Sequence, residues 1–169
     1  SSSHGEGSHF RVSLDPGGLA GVEWMSAADP PAVPAATAPR PAAPTRLNGR
    51  ILLAEDTPDS RRLVRHHLER VGLRVDVAEN GAEAYRLALD ALLAGEPYDV
   101  VLMDMQMPEM DGYEATSRLR EEGYRGPIVA LTAHAMTGER EKCIAAGCDD
   151  YATKPIERAT LLATIALHL

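Results

Sequence analysis

The sequence contains few aromatic residues and no long hydrophobic run, and both shortages narrow the possible classes of protein. Only 4% of its 169 residues are aromatic and 44% are hydrophobic, which suits one domain of ordinary size plus additional length. No apolar run approaches the roughly 18 residues that span a bilayer. The first residues also lack the basic segment, apolar segment and cleavage site of a secretory signal. We therefore expect a soluble fragment that makes no contact with a membrane.

Basic residues and cysteines are also scarce. The formal net charge is -8, and residues 47–169 carry 21 acids against 14 Lys and Arg, so a nucleic-acid-binding surface is not expected. The two cysteines, Cys143 and Cys148, lie five residues apart, which fits neither a CxxC redox pair nor a zinc framework. We predict two ordinary buried thiols in a reducing, cytoplasmic environment, although the parent protein could be anchored in a membrane.

Proline is concentrated in one part of the chain. Six of the 12 prolines lie between Pro30 and Pro44, among Ala and Thr and without a hydrophobic period, so residues 15–46 are predicted to form an extended linker. Before this linker, Phe10, Val12 and Leu14 alternate with polar residues, which is typical of a strand. The sequence indicates no partner strand for this segment, so the alternative interpretation of these residues is a disordered or tag-derived leader.

From Arg50 onward the hydrophobic pattern becomes regular. Continuous apolar runs predict buried strands at 51–54, 100–103 and 128–131, and shorter runs at 75–78 and 150–153 complete a set of five. Apolar residues at helical spacing lie between them: Leu63, Val64, Leu68 and Val71; Ala84, Leu87, Ala88 and Ala91; Leu161, Leu162, Ile165 and Leu169. This alternation predicts an α/β domain over residues 47–169, with helices on both faces of a parallel sheet.

Polar side chains follow the predicted strands at the points where they end: Glu55, Asp56, Asp104, Thr132 and Lys154. The carboxyl ends of parallel strands meet at one edge of a sheet, where ligands bind in such folds. Three neighbouring acids repel one another unless a cation lies among them, and hard oxygen ligands favour Mg²⁺. A lysine and a hydroxyl opposite the metal would bind phosphoryl oxygens, which makes Asp104 the candidate nucleophile.

Each of these residues has a simpler interpretation when it is considered alone. An Asp after an apolar run can cap a helix or form a turn, Thr132 can cap the following segment, and Lys154 before Pro155 can be a solvated loop residue. The functional interpretation depends on the conjunction, because all five residues fall at strand ends in a consistent order.

Four motifs resemble the receiver domain of two-component signalling, and the resemblance runs through residues 47–169. AEDTPDSRR is similar to the acidic-pair turn, LMDMQMPEMDGYEA to the phosphoacceptor loop, IVALTAHAM to the strand of the switch threonine, and AAGCDDYATKPI to the loop with the lysine. The resemblance implies a flavodoxin-like (βα)5 doubly wound sheet with strand order 2-1-3-4-5. It also implies that Asp104 takes a phosphoryl group from a phosphohistidine.

The resemblance further implies roles at individual positions. Asp56 and Asp104 would ligate Mg²⁺ together with the Gln106 backbone carbonyl, and Glu55 would act through water. Thr132 and Lys154 would hold the phosphoryl oxygens. The remaining implied positions are the small residue that admits the phosphoryl group, the aromatic switch and the residues that set the lifetime of the phosphoaspartate: Ala133, Tyr151, Gln106 and His134.

For several positions a simpler role stays open. Tyr151 could serve as half-buried strand packing, and His134 could be a solvated loop residue. His66 and His67 are interpreted as an exposed pair on a partner-docking helix and not as phosphohistidines. Pro108 and Gly112 shape the loop after Asp104, and Lys154-Pro155 resembles the family's cis-peptide site.

The family also offers an interpretation of the isolated strand. GEGSHFRVSL resembles the last glycine box and closing strand of a histidine kinase ATP-binding domain. Residues 1–14 would then be a remnant of that domain, followed by the linker and the receiver, as in a hybrid sensor kinase. The expected partners are the kinase core of the parent chain and a histidine-containing phosphotransfer domain. The fragment lacks the dimerisation histidine and the rest of the ATP site, so it is not expected to phosphorylate itself from ATP.

The sequence leaves two other functions open. A pseudo-receiver would only bind partners, but the complete set of acids, threonine and lysine argues against it. An Asp-nucleophile phosphatase of the haloacid dehalogenase type has a second acid two residues after the nucleophile, where this chain has Gln106. Whether the fragment is an enzyme stays open, since a receiver has at most autophosphatase activity.

Overall fold

The computed structural model describes residues 2–3, 7–8, 46–133 and 137–169. The chain divides into two units, Ser1–Ala38 and Pro39–Leu169. In the first unit, Ser2–Ser3 and Gly7–Ser8 form a short antiparallel pair of strands. The predicted strand around Phe10 and the predicted linker, apart from Arg46, lie outside the described residues.

The second unit alternates five strands with five helices. The strands are β1 (Arg50–Ala54), β2 (Arg74–Ala78), β3 (Val100–Asp104), β4 (Ile128–Thr132) and β5 (Asp150–Thr153). The helices are α1 (Pro58–Glu69), α2 (Gly81–Leu93), α3 (Gly112–Glu121), α4 (Thr137–Ala146) and α5 (Arg158–His168). All five predicted strands are present, each within one residue of its predicted bounds.

The five strands form one parallel sheet in the order β2-β1-β3-β4-β5, so the predicted fold and strand order 2-1-3-4-5 are confirmed. Ala54 lies opposite Met103, and Asp104 lies opposite Leu131. The chain moves outward from β1 to β2 and then returns to place β3 on the other side of β1. This reversal opens a crevice beyond the carboxyl ends of β1 and β3.

Both faces of the sheet are covered by helices. Ile51, Leu53 and Leu102 pack against α1 and α5, whereas Leu52 and Met103 pack on the opposite face against α2, α3 and α4. Successive side chains of a strand point to opposite faces, so a strand covered on both sides must be apolar throughout. This explains the continuous runs in β1, β3 and β4, in which nearly every residue is buried.

The helical stripe predicted for α1 is partly wrong. Val64 and Leu68 are buried, but Leu63 is 55% exposed, and Val71, although buried, lies in the turn just beyond the end of the helix. Leu63 is one residue before Val64 and is therefore rotated away from the sheet by about 100°. Cys143 in α4 and Cys148 after it are both buried and free, as predicted. Within the described residues, no helix has the length and hydrophobicity needed to span a membrane.

Candidate functional site

The turn after β1 carries two acids whose side chains are held by the following residue. Glu55 is fully buried, and Asp56 is half-buried. The Thr57 N–H donates to Glu55 Oε1 at 3.3 Å, and the Thr57 hydroxyl donates to Asp56 Oδ1 at 3.2 Å. The Glu55 N–H donates to the Ala78 carbonyl at 3.1 Å, which extends the β1–β2 ladder into the site. Both carboxyl groups therefore sit at the carboxyl edge of the sheet.

Asp104 ends β3 and is only 4% exposed. The Gln106 N–H donates to its Oδ1 at 3.0 Å, and Lys154 Nζ donates to its Oδ2 at 2.7 Å. The loop that follows is close to this backbone, because a Cβ added at Gly112 would collide with the Asp104 carbonyl oxygen. The small residue at 112 thus lets α3 begin directly beside the carboxylate.

Lys154 joins two of the acids. Its Nζ lies 2.7 Å from Glu55 Oε2 as well as 2.7 Å from Asp104 Oδ2. Burial alone would lower the pKa of the ammonium, but the contacts with Asp104 and Glu55 outweigh this effect and raise the pKa above its ordinary value. Lys154 is therefore a stable cation inside the acidic site.

The three acids offer more negative charge than this lysine offsets. Carboxylate oxygens of Glu55, Asp56 and Asp104 lie within 4.8 Å of one another. Glu55 Oε2 is completely buried, and Lys154 Nζ lies 2.7 Å from it. A buried carboxylate with two carboxylates beside it suits a hard divalent cation or its bound water. The residues present therefore fit Mg²⁺.

Thr132 and Lys154 are brought to the same edge by the last two strands. Thr132 ends β4 and is buried, and its carbonyl accepts a hydrogen bond of 2.7 Å from the Lys154 N–H. Ala133 follows and is exposed. All five residues predicted at the strand ends are thus found at one edge of the sheet, in the turn after β1, at the ends of β3 and β4, and in the segment after β5.

The other predicted residues lie in different environments. Tyr151 is half-buried in β5 and packs against the core cluster beneath α3 and α4. The Gln106 side chain is exposed, and His134 lies outside the described residues. The Lys154–Pro155 peptide is cis, as the resemblance implied.

The histidine pair on α1 was predicted to be exposed, and this holds for only one member. His66 is exposed, but His67 is half-buried and lines an open groove of about 190 Å³. Burial lowers the pKa of His67, and the nearby Arg158 lowers it further. The groove runs between α1 and the turn before α5, and its lining is mainly apolar: Ser60, Leu63, Val64, His67, Lys154, Pro155 and Ile156.

Sequence reasoning missed Arg61, which contacts the acidic turn directly. Its Nη1 donates to the carbonyl oxygens of Glu55 and Asp56, and its Nη2 pairs with Glu79. The available signal was an arginine on the first turn of the helix that follows two acids. Hydrophobic periodicity does not indicate Arg61, because this residue does not belong to the apolar stripe of α1.

Comparisons with known proteins agree with this geometry. The family described as response regulator receiver domain matches residues 51–166. "Probable histidine kinase 2" of Oryza sativa subsp. indica is 43% identical over 128 residues, covering 68% of this chain. This chain spans about 12% of the length of that relative.

Two solved structures are also similar. The receiver domain of sensor histidine kinase PA1611 from Pseudomonas aeruginosa PAO1, described with a magnesium ion in its active site cleft, is 40% identical with a TM-score of 0.63. The match covers 72% of this chain and 98% of that one. The receiver of Saccharomyces cerevisiae Ssk1, solved with the histidine phosphotransfer protein Ypd1, is 26% identical with a TM-score of 0.64, covering 73% and 89%.

The doubly wound sheet and the acidic site with its lysine thus define a signalling receiver of the flavodoxin-like class. The chain belongs to the response regulator receiver domain family. Within that family it is similar to receivers of histidine kinases.

Proposed function

We propose that Asp104 is the phosphoacceptor of this receiver and takes its phosphoryl group from a phosphohistidine. The observation that carries the proposal is the placement of its carboxylate. It lies at the end of β3, with Lys154 Nζ 2.7 Å from Oδ2 and two further acids beside it. A carboxylate in this position can be approached at the sheet edge, while its charge is compensated by a fixed cation.

The reaction is a displacement at phosphorus. An Asp104 oxygen forms the new P–O bond as the P–N bond of the phosphohistidine breaks, and the electron pair of that bond stays with the imidazole nitrogen. Lys154 offsets the negative charge that the carboxylate receives with the phosphoryl group. The Thr132 hydroxyl binds another phosphoryl oxygen, and the small Ala133 leaves space for it.

Mg²⁺ is the proposed cofactor. Asp56, Asp104 and the Gln106 backbone carbonyl would hold it, with Glu55 acting through water. The ion would neutralise the charge of the acids and the phosphoryl oxygens. The cluster of Glu55, Asp56 and Asp104 and the magnesium described for the PA1611 receiver support this proposal.

Phosphorylation is proposed to change the face made by α4, β5 and α5. The aspartyl phosphate would draw Thr132 toward it, and Tyr151 would turn into the vacated space. The position of Tyr151, half-buried three residues before Lys154, supports this proposal. Gln106 and His134 are proposed to set how long the phosphoaspartate survives, and the exposure of the Gln106 side chain, two residues after Asp104, supports that role.

The proposed partners are a histidine-containing phosphotransfer domain and the kinase core of a parent hybrid kinase. The Ssk1–Ypd1 complex and the histidine kinases among the relatives support these partners. We also propose the division of the chain into a kinase remnant at 1–14, a linker at 15–46 and the receiver at 47–169. Lys154 also lines the apolar groove, so a partner that contacts Leu63 and Ile156 would lie next to the acceptor site.

Neither alternative function is favoured. The residue two positions after Asp104 is Gln106, which cannot supply the second acid of a haloacid dehalogenase phosphatase. A pseudo-receiver has no need for three clustered acids with a lysine held between two of them.

Intact mass spectrometry tests the proposed function. The protein is incubated with Mg²⁺ and a small acyl-phosphate donor, beside an Asp104→Asn variant whose fold is checked by circular dichroism. We expect one labile phosphoryl group on the wild-type protein and none on the variant. The same adduct on Asp104→Asn would overturn Asp104 as the acceptor. If neither protein reacts, the test is repeated with a phosphorylated histidine kinase core, to separate a donor-specific receiver from a binding-only module.

A further inference from the structure

We infer that Arg61 is a positioning residue that holds the acidic turn in the geometry needed for metal binding. The inference rests on the proposed Mg²⁺ site. Arg61 Nη1 lies 3.0 Å from the Glu55 carbonyl oxygen and 3.4 Å from that of Asp56. One guanidinium nitrogen thus holds the two consecutive carbonyls of the turn between β1 and α1.

The other end of the guanidinium is anchored on a different element. Nη2 lies 2.8 Å from Glu79 Oε1, in the turn after β2, and the Glu79 N–H donates to Glu83 Oε2 in α2 at 2.8 Å. The Arg61 side chain is 16% exposed, although Glu79 is 68% exposed. The planar guanidinium presents several donors in a fixed arrangement, so it can span these acceptors with little further loss of freedom.

This arrangement bears on metal affinity through the backbone. The Glu55 and Asp56 side chains project from the same two residues whose carbonyls Arg61 fixes, so a rotation of this turn would move both carboxylates away from Asp104. Groups that orient metal ligands without touching the metal typically contribute tenfold to a hundredfold to affinity.

The direction in which Mg²⁺ affinity changes when Arg61 is replaced distinguishes a positioning role from a purely electrostatic one. Arg61 is a cation bound to the turn that carries Glu55 and Asp56, so by charge alone its removal would strengthen Mg²⁺ binding. Positioning predicts the opposite result. An Arg61→Met variant, which keeps the apolar stem but has no donors, is expected to bind Mg²⁺ about tenfold more weakly.

The neighbouring Arg62 provides a matched control. It lies on the same helix turn and is exposed, and within the described residues it makes no hydrogen bond or ion pair. Arg62→Met removes the same charge, so its Mg²⁺ affinity is expected to stay equal or rise slightly. Arg61→Lys can reach one acceptor but cannot span all three, and Glu79→Gln weakens the anchor. Both are expected to fall between wild type and Arg61→Met.

The experiment is isothermal titration calorimetry of Mg²⁺ into the full chain and each variant. Thermal unfolding without metal shows that each variant is folded. If Arg61→Met does not fold, the Lys and Gln variants carry the test. Wild-type binding with equal or tighter binding by the Arg61 variants would overturn this inference and leave the proposed function intact. An absence of Mg²⁺ binding by the wild-type protein would overturn both the proposed metal site and this inference.

Discussion

Lys154 Nζ lies 2.7 Å from Asp104 Oδ2 and at the same distance from Glu55 Oε2, so one cation joins the end of β3 to the turn after β1. Lys154 thus contacts Asp104, the residue that is proposed to be phosphorylated. When the Asp104 oxygen forms a bond to phosphorus, its charge moves outward onto the phosphoryl oxygens. Lys154 is already within reach of that charge.

Replacing Lys154 with Met should therefore impair phosphorylation more than it impairs folding. We expect the rate of phosphorylation by a small acyl-phosphate donor, at saturating Mg²⁺, to fall by about a hundredfold, as for other preorganised charges that stabilise a transition state. Lys142→Met is the control, because Lys142 is an exposed residue of α4 that pairs with Glu139. Equal rates in the wild-type protein and Lys154→Met would contradict the role of Lys154.

Thr132 is buried at the end of β4 and is the proposed link to Tyr151. We expect phosphorylation to make Tyr151 less accessible, as measured by ¹⁹F NMR of fluorotyrosine-labelled protein. Thr132→Ala should remove this change without preventing phosphorylation, and Thr132→Ser, which keeps the hydroxyl, should preserve it. The same spectral change in Thr132→Ala would exclude the hydroxyl as the link.

Much of this architecture was predictable because burial dictates sequence directly. A strand covered by helices on both faces must be apolar at every position, so the runs at 51–54 and 128–131 marked buried strands and their ends marked the site. The α3 stripe was harder to find, because it consists of Gly112, Ala115, Thr116 and Leu119, which hydrophobicity hardly distinguishes from their neighbours.

The contacts of charged side chains could not be predicted from the sequence pattern. Arg61 and Arg62 are identical neighbours in the sequence, yet only Arg61 reaches the acidic turn. Which of the two points toward the site depends on the rotation of α1, and that rotation is fixed by the burial of Val64 and Leu68. Likewise, the strand ends indicated that Lys154 is near the acids, but only the structure shows that it contacts two of them.

Gly112 tests how tightly the acceptor loop is packed. Because an added Cβ would meet the Asp104 carbonyl oxygen, Gly112→Ala should lower the free energy of unfolding by about 1 to 3 kcal/mol. Gly138 is the control, since it lies in α4 with no atom within 4 Å of an added Cβ. Gly138→Ala is expected to stabilise by up to about 1 kcal/mol. Urea denaturation measures both, and a neutral Gly112→Ala would show that the loop can move aside.

Tyr124 predicts a loss of stability in alkali. Its ring is completely buried, and burial raises the pKa of its hydroxyl to about 12. In the unfolded chain the hydroxyl ionises near pH 10. The raised pKa therefore contributes stability that is fully present below about pH 10 and is lost as the pH rises toward 12, at up to about 1.4 kcal/mol per pH unit. Tyr124→Phe should show a shallower decline in urea denaturation between pH 9 and 11, and an unchanged slope would contradict this assignment.

Leu63 is 55% exposed and lines the same groove as Lys154, and this position makes it a candidate contact for a phosphohistidine donor. Leu63→Glu should slow phosphotransfer by more than about tenfold from a histidine-containing phosphotransfer domain that phosphorylates the wild-type protein, since a charge would be buried in an apolar contact. Phosphorylation by a small acyl phosphate should stay unchanged, because that donor needs no docking surface.

Leu93→Glu is the matched control, as Leu93 is 77% exposed at the end of α2, at the opposite edge of the sheet from Asp104. If Leu63→Glu and Leu93→Glu slow transfer from this phosphotransfer domain equally, the groove is not the docking site. If Leu63→Glu slows both donors, the substitution disturbs the acceptor site itself.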